Sequence, residues 1–354
     1  MFLALKEMKH EKLRYGLVAL MITLISYLVF VLAALALGLA QQGYQALDTW
    51  GVRSVVLSKS SDQELRQSTL TPDQVKKLQA DNDKTAVVGI SSIITQAKGR
   101  EKVAATLVGT PENQFVAKSV QLAAGHRING DHQVIVDTNY QTKGYKLGDK
   151  ITLGPNQSKY KIVGFAKDSM LQIAPVVYTT IPVWQANRGT GNVFAGSAVV
   201  SKQAKVTVHD QTLASYPIQK VIDKLPGYSA QNMTFGFMIG FLLIISLIVI
   251  AIFLYIITMQ KLGNYAVLRA QGMPGGLLIR ATLAQAVVLT VLGVAIALIA
   301  SGLTAMALPA AVPMAFQPVW LALISLGFVV MSLLGSLIPV RMVAKVDPVT
   351  VIGG

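Results

Sequence analysis

Residues 281–340 read ATLAQAVVLTVLGVAIALIASGLTAMALPAAVPMAFQPVWLALISLGFVVMSLLGSLIPV, sixty consecutive positions without an Asp, Glu, Lys or Arg. About 20 apolar residues in a helix cross the hydrocarbon core of a bilayer. The stretch therefore holds two spans, about Ala281–Ala305 and Val319–Ile338, with Pro309, Pro313 and Pro318 interrupting helix between them. Two shorter charge-free windows, Tyr15–Leu47 and Leu225–Gln260, fit one span each, about Gly16–Leu39 and Phe235–Met259. Lys6, Lys9, Lys12 and Arg14 give the first span the look of a signal peptide. Its apolar run is longer than the ~7–15 residues of such a segment, so a retained helix is expected.

The whole chain agrees with this reading. It has 354 residues, 53% apolar and 14% charged, against about 25% charged in a soluble domain. With no Cys there is no disulfide framework, iron–sulfur cluster or zinc-thiolate site. The four His (His10, His126, His132, His209) lack metal-motif spacing, which argues against zinc hydrolase chemistry. Lys and Arg near span ends mark the cytoplasmic side. They precede span 1, lie between spans 2 and 3 (Lys261, Arg269, Arg280) and follow span 4 (Arg341, Lys345), whereas Met306–Pro318 is uncharged. Both termini are expected in the cytoplasm of a bacterial plasma membrane protein, with residues 41–232 outside. Of the net charge of +14, +8 falls in that segment and the rest follows the topology pattern, so nucleic acid is not implied.

The expected division is a cytoplasmic amphipathic helix (1–14), span 1 (15–40), an extracytoplasmic domain (41–232), span 2 (233–260), a cytoplasmic loop (261–280), span 3 (281–305), an outer loop (306–318), span 4 (319–340) and a cytoplasmic tail (341–354). In the large domain Ser54–Ser58, Ala86–Thr95, Lys102–Gly109 and Val134–Asp137 read as strands rich in β-branched residues. Lys150–Leu153 and Lys159–Phe165 flank the turn residues GPNQS and read as a hairpin. Pro72–Asp81, capped by Thr71, and Gln211–Leu225 read as helices. Ser60–Ser68 and Arg188–Asn192 read as mobile loop tips. No nucleophile–base pairing stands out, and His126 and His132 read as surface residues.

Met1–Leu13 places Met1, Leu5 and Met8 on one helical face against Lys6, Lys9 and Lys12, the pattern of an interfacial helix among membrane lipids. In the loop between spans 2 and 3, Asn264 is placed to cap a short helix Tyr265–Gln271, ended by Gly272 with Pro274 beyond. Tyr265 and Leu268 share a face, with Arg269 beside them. No G-x-x-x-x-G-K-[ST] occurs, so nucleotide binding is expected in another subunit.

Lys261–Pro274 (KLGNYAVLRAQGMP), the tail Pro339–Val349 (PVRMVAKVDPV), and Asp137–Tyr140, Gly144–Ile151 (GYKLGDKI) and Tyr160–Gly164 (YKIVG) resemble the permeases of the FtsX/MacB superfamily of ABC transporters. The resemblance covers essentially the whole chain. It implies a membrane protein of four transmembrane α-helices with a large extracytoplasmic α+β (MacB-like) domain inserted between helices 1 and 2. The N-terminal MFLALKEMKHEKLRYGLVALMITLISYLVF is most similar to haem-efflux permeases of the HrtB type. This implies a non-enzymatic transporter subunit without an intrinsic cofactor, with haem as substrate. Its partners would be a second copy and an HrtA-like cytosolic ATPase that binds ATP-Mg. The docking loop would be Asn264, Tyr265, Leu268 and Arg269, although relatives often carry an acidic residue where Asn264 stands. Haem iron accepts Met or Tyr, and near the outer leaflet Tyr44, Met233 and Met238 are available, with Phe235 and Phe237 to pack on the ring. The same architecture would also suit lipoprotein, peptide or antibiotic export, or an FtsX-like scaffold that activates cell-wall hydrolases.

Overall fold

In the computed structural model, residues 11–78, 83–154, 156–308 and 312–346 are described. The amphipathic reading of Met1–Leu13 and the Asp347-Pro348 end of the tail lie largely or wholly outside them. The helices are α1 (Lys12–Trp50), α2 (Pro72–Leu78), α3 (Phe115–Ser119), α4 (Asn139–Thr142), α5 (Ile181–Arg188), α6 (Ile218–Asp223), α7 (Tyr228–Ala270), α8 (Gly275–Ala307), α9 (Pro318–Gly335) and α10 (Leu337–Ala344). The strands are β1 (Ser54–Ser58), β2 (Thr85–Gln96), β3 (Val103–Gly109), β4 (Leu122–Gly125), β5 (Gln133–Asp137), β6 (Lys150–Leu153), β7 (Asn156–Ala166), β8 (Met170–Leu171), β9 (Ala174–Thr179), β10 (Ala198–Ser201) and β11 (Leu213–Pro217). The chain divides into two compact units, a helical one (1–38 and 232–354) and a strand-rich one (39–231).

In the helical unit, four helices are long and apolar enough to cross a membrane: α1, α7, α8, and α9 with α10. Pro318 begins α9, where its missing N–H costs nothing. The helices meet through small residues. A Cβ on Gly293 would lie 2.8 Å from Ile22 Cγ2, and one on Gly38 would lie within 3 Å of the Pro313 carbonyl. Ala297, one turn beyond Gly293, is fully buried with Val29, Phe30, Val294 and Phe328. A second cluster joins Tyr15, Val18 and Ile22 of α1 to Ile250, Leu254 and Ile257 of α7 and Leu289 of α8.

In the strand-rich unit, 11 strands form one sheet, ordered β11-β1-β10-β2-β3-β9-β5-β7-β4. The expected hairpin forms, β6 against β7, with β7 resuming two residues after Gly154. β6 also pairs with the end of β2, Thr95 opposite Leu153 and Gln96 opposite Thr152. That second pairing closes β2-β3-β9-β5-β7-β6 into a ring filled by Leu107, Val136, Ile151, Ile162, Phe165 and Trp184. β2 is long enough to serve three neighbours: Thr85–Val88 pair with β10, Gly89–Thr95 with β3 and Thr95–Gln96 with β6. On the other side of the sheet, Ala46, Leu47 and Trp50 of α1 pack into a core with Val55, Val88, Val108 and Tyr178.

Local signals behave unevenly. Thr71 and Gln74 exchange side chain–backbone hydrogen bonds across the start of α2, a capping box. Gln211–Leu225 is not one helix. Leu213–Pro217 is instead a strand paired along β1, and only Ile218–Asp223 is helical, because β1 offers an open edge that outweighs local preference. Ser60–Ser68 is not an exposed tip either: Leu65 is fully buried and Ser68 Oγ accepts from Ser58 N–H. Arg188–Asn192 continues the end of α5 through Gly189 in the left-handed region into a short 3-10 turn.

Asp137 is buried in this unit, accepting hydrogen bonds from Asn139 N–H at 2.8 Å and Ser169 N–H at 3.2 Å. Burial raises its pKa above 3.8 despite these bonds. A raised carboxyl binds its proton more readily folded than unfolded, so its contribution falls as pH rises from about 3.8 through the raised value. The stability difference between the chain and Asp137→Asn, followed by thermal unfolding, is expected to shrink over that window.

A Cβ on Gly89 would sit 2.3 Å from the Trp184 ring, inside the closed ring of strands. Gly89→Ala is expected to destabilise the strand-rich unit by about 1–3 kcal/mol, read as a lower midpoint in thermal unfolding.

Candidate functional site

The expected outer-end residues separate by helix geometry. Met233 and Phe237 are 62% and 63% exposed and lie one turn apart on α7, with exposed Phe241 one turn further. These three form a stripe, i, i+4, i+8, which continues down the helix through exposed Ile244, Ile245, Ile248 and Ile252. Met238 flanks it and is also exposed. Phe235, about 200° round from Met233 at 3.6 residues per turn, is half-buried and off the stripe. Sequence reasoning grouped Phe235 by proximity and missed Phe241; the four-residue spacing from Phe237 would have found it. Tyr44 belongs to the strand-rich unit, where its ring meets Tyr228 edge-on at 6.0 Å and packs on that unit's core.

At the other end of α7 there is no separate capped helix. Asn264 lies inside the continuous 43-residue α7 and caps nothing, because the apolar periodicity of span 2 runs on through Tyr265 and Leu268. Gly272, at φ +90°, does terminate the helix. Its N–H donates to Arg269 O and Met273 N–H donates to Leu268 O, the paired bonds of a Schellman end. Met273 and Leu268 pack on one cluster, which fastens the four-residue link to α8.

Tyr265 is only 3% exposed, enclosed by Leu278 of α8 and Val343 of α10. Arg269 Nη1 donates to the Val346 carbonyl at 2.6 Å. These two residues therefore tie three helix ends together. Lys261, one turn before Tyr265, is buried too: its Nζ donates to Tyr15 Oη at 3.0 Å, lies 5.1 Å over that ring and stands 3.8 Å from Glu11 Oε2. Sequence reasoning read Lys261 only as a topology charge. Exposed side chains here include Asn264, Val267, Gln271, Leu277 and Arg280.

A family model, the MacB-like periplasmic core domain, matches residues 16–213, and another, the FtsX-like permease C-terminal, matches 236–348. A Staphylococcus epidermidis protein bearing the name hemin transport system permease protein HrtB is 25% identical, aligned over 100% of this chain and 99% of its own. A Staphylococcus haemolyticus protein of the same name is 24% identical with the same coverage. An uncharacterized ABC transporter permease of Mycobacterium tuberculosis is 23% identical, again over 100% and 99%. Among solved structures, the periplasmic region of MacB from Actinobacillus actinomycetemcomitans matches 49% of this chain and 95% of its own, at 16% identity and TM-score 0.37.

Removing the Tyr265 ring leaves a void between three helices. Tyr265→Ala is expected to cost the helical unit about 3 kcal/mol, whereas Asn264→Ala at an exposed position stays within about 0.5 kcal/mol. Thermal unfolding of both variants in detergent micelles checks this.

Proposed function

The chain belongs to the MacB/FtsX family of ABC transporter permeases, and on that premise we propose that it exports haem, driven by a separate HrtA-like cytosolic ATPase that binds ATP-Mg. What carries the cargo assignment is the full-length match to relatives named for hemin transport. The names do not favour lipoprotein, peptide or antibiotic export, or a signalling scaffold.

The exposed α7 stripe suits this cargo. Haem is a flat apolar ring whose iron accepts a thioether. Met233 and Met238 offer sulfur, and Phe237 and Phe241 offer ring faces, on a helix surface open to the bilayer. The same stripe would meet a second copy of the chain, which places cargo between two protomers at the outer leaflet. Basic residues at the ends of the spans support a topology with both termini and the α7–α8 link in the cytoplasm. The ATPase would press on that link through Asn264, Val267 and Leu277. Tyr265, Leu268 and Arg269 sit behind them and pass the movement to α8 and α10 as one packed body.

Haem titrated into the purified chain in nanodiscs is expected to give a saturable Soret shift. Met233→Ala or Met238→Ala is expected to alter the Soret position, and Tyr44→Phe to leave it unchanged. No saturable shift, with or without the ATPase, would overturn the haem assignment.

A further inference from the structure

On the strand-rich unit, a groove of about 740 Å³ opens over β2, β3 and β6. That volume lies within the range of small-molecule sites. Its floor is apolar and low. Ile94 is 56% exposed and lies opposite Ala104 in the β2–β3 register, and the short side chain of Ala104 leaves space above the sheet. Among the described residues, two cations line it, Arg66 and Lys102, and no carboxylate does. The Arg66 Nε is buried without a hydrogen-bond partner, and burial works against the charge of its guanidinium. Glu64 lies near that guanidinium and favours its charge, and an anion in the groove would act in the same direction. None of the described lining residues is His, Met or Tyr.

An apolar floor flanked by two cations suits an apolar molecule bearing carboxylates. We propose that the groove binds a porphyrin through its ring and carboxylates, and that it is a second haem-handling site apart from the α7 stripe. This rests on the haem reading above. The two sites differ in what they recognise: the stripe offers thioether sulfur to the metal, and the groove offers cations to the carboxylates. A porphyrin without metal should therefore bind the groove as well as haem does.

The test uses the full chain in nanodiscs, with empty nanodiscs subtracted, and metal-free protoporphyrin IX followed by fluorescence anisotropy. One saturable site is expected. Arg66→Gln and Lys102→Gln should each weaken binding roughly fivefold, the scale of one exposed charge contact. The unmodified chain should bind the dimethyl ester of the porphyrin at least as weakly as the double variant binds the free acid. Unchanged affinity in Arg66→Gln/Lys102→Gln, equal binding of the ester, full displacement by oleate at equal concentration, or no saturable binding would each overturn the groove. Soret titration of the double variant separates the two readings. A haem shift that persists when the groove result fails leaves export standing. Absence of any Soret shift overturns the haem reading whatever the groove result.

Discussion

Hydrocarbon gives a backbone amide nothing to bond to, so a chain that enters a bilayer must satisfy its own N–H and C=O groups within each crossing. That constraint explains why the long charge-free windows become helices, and why the prolines between them fall where helix stops. It also sets how the helices meet. Burying one apolar surface against another gains little when the alternative is lipid, so contact depends on close approach. Gly293 against Ile22 and Gly38 against the Pro313 carbonyl are that approach in atomic form. Ala315 N–H donates to the Ala34 carbonyl, which helps tie residues 312–317 to α1.

The two ends of α7 show the same helix used in opposite ways. Near its start, from Met233 to Phe241, large apolar side chains are left uncovered. Near its finish, Lys261, Tyr265 and Arg269 at four-residue intervals each reach a different element: α1, then α8 and α10, then the Val346 carbonyl. A helix fastened at one end and bare at the other suits a part that receives movement at the first and meets cargo or a second copy at the second.

Signals complete within a few residues were legible in the sequence. The capping exchange of Thr71 and Gln74 needs only four positions, and the β6–β7 hairpin only one turn. The spans declared themselves by missing charge. What escaped depends on distant partners. Leu213–Pro217 is a strand because β1 lies beside it, and the ring closes because two residues of β6 reach the end of β2. For the candidate residues, residue type singled out Met233, Met238, Phe235 and Phe237, and spacing on the helix sorts them: Met233 and Phe237 share an exposed stripe with Phe241, and Phe235 lies off it. Burial of Tyr265 could not be read, since Leu278 and Val343, which cover it, are 13 and 78 positions away.

Closure of the six-strand ring has a consequence for association. A strand with both edges paired has no backbone groups left to recruit a neighbour. Among the described residues, the strands left with one free edge are β4, β8 and β11, of four, two and five residues, and β11 ends in a proline. Such short edges are poor templates for edge-to-edge addition. The sheet of the strand-rich unit is therefore a poor route to edge-to-edge association, whether into aggregates or into ordered assemblies.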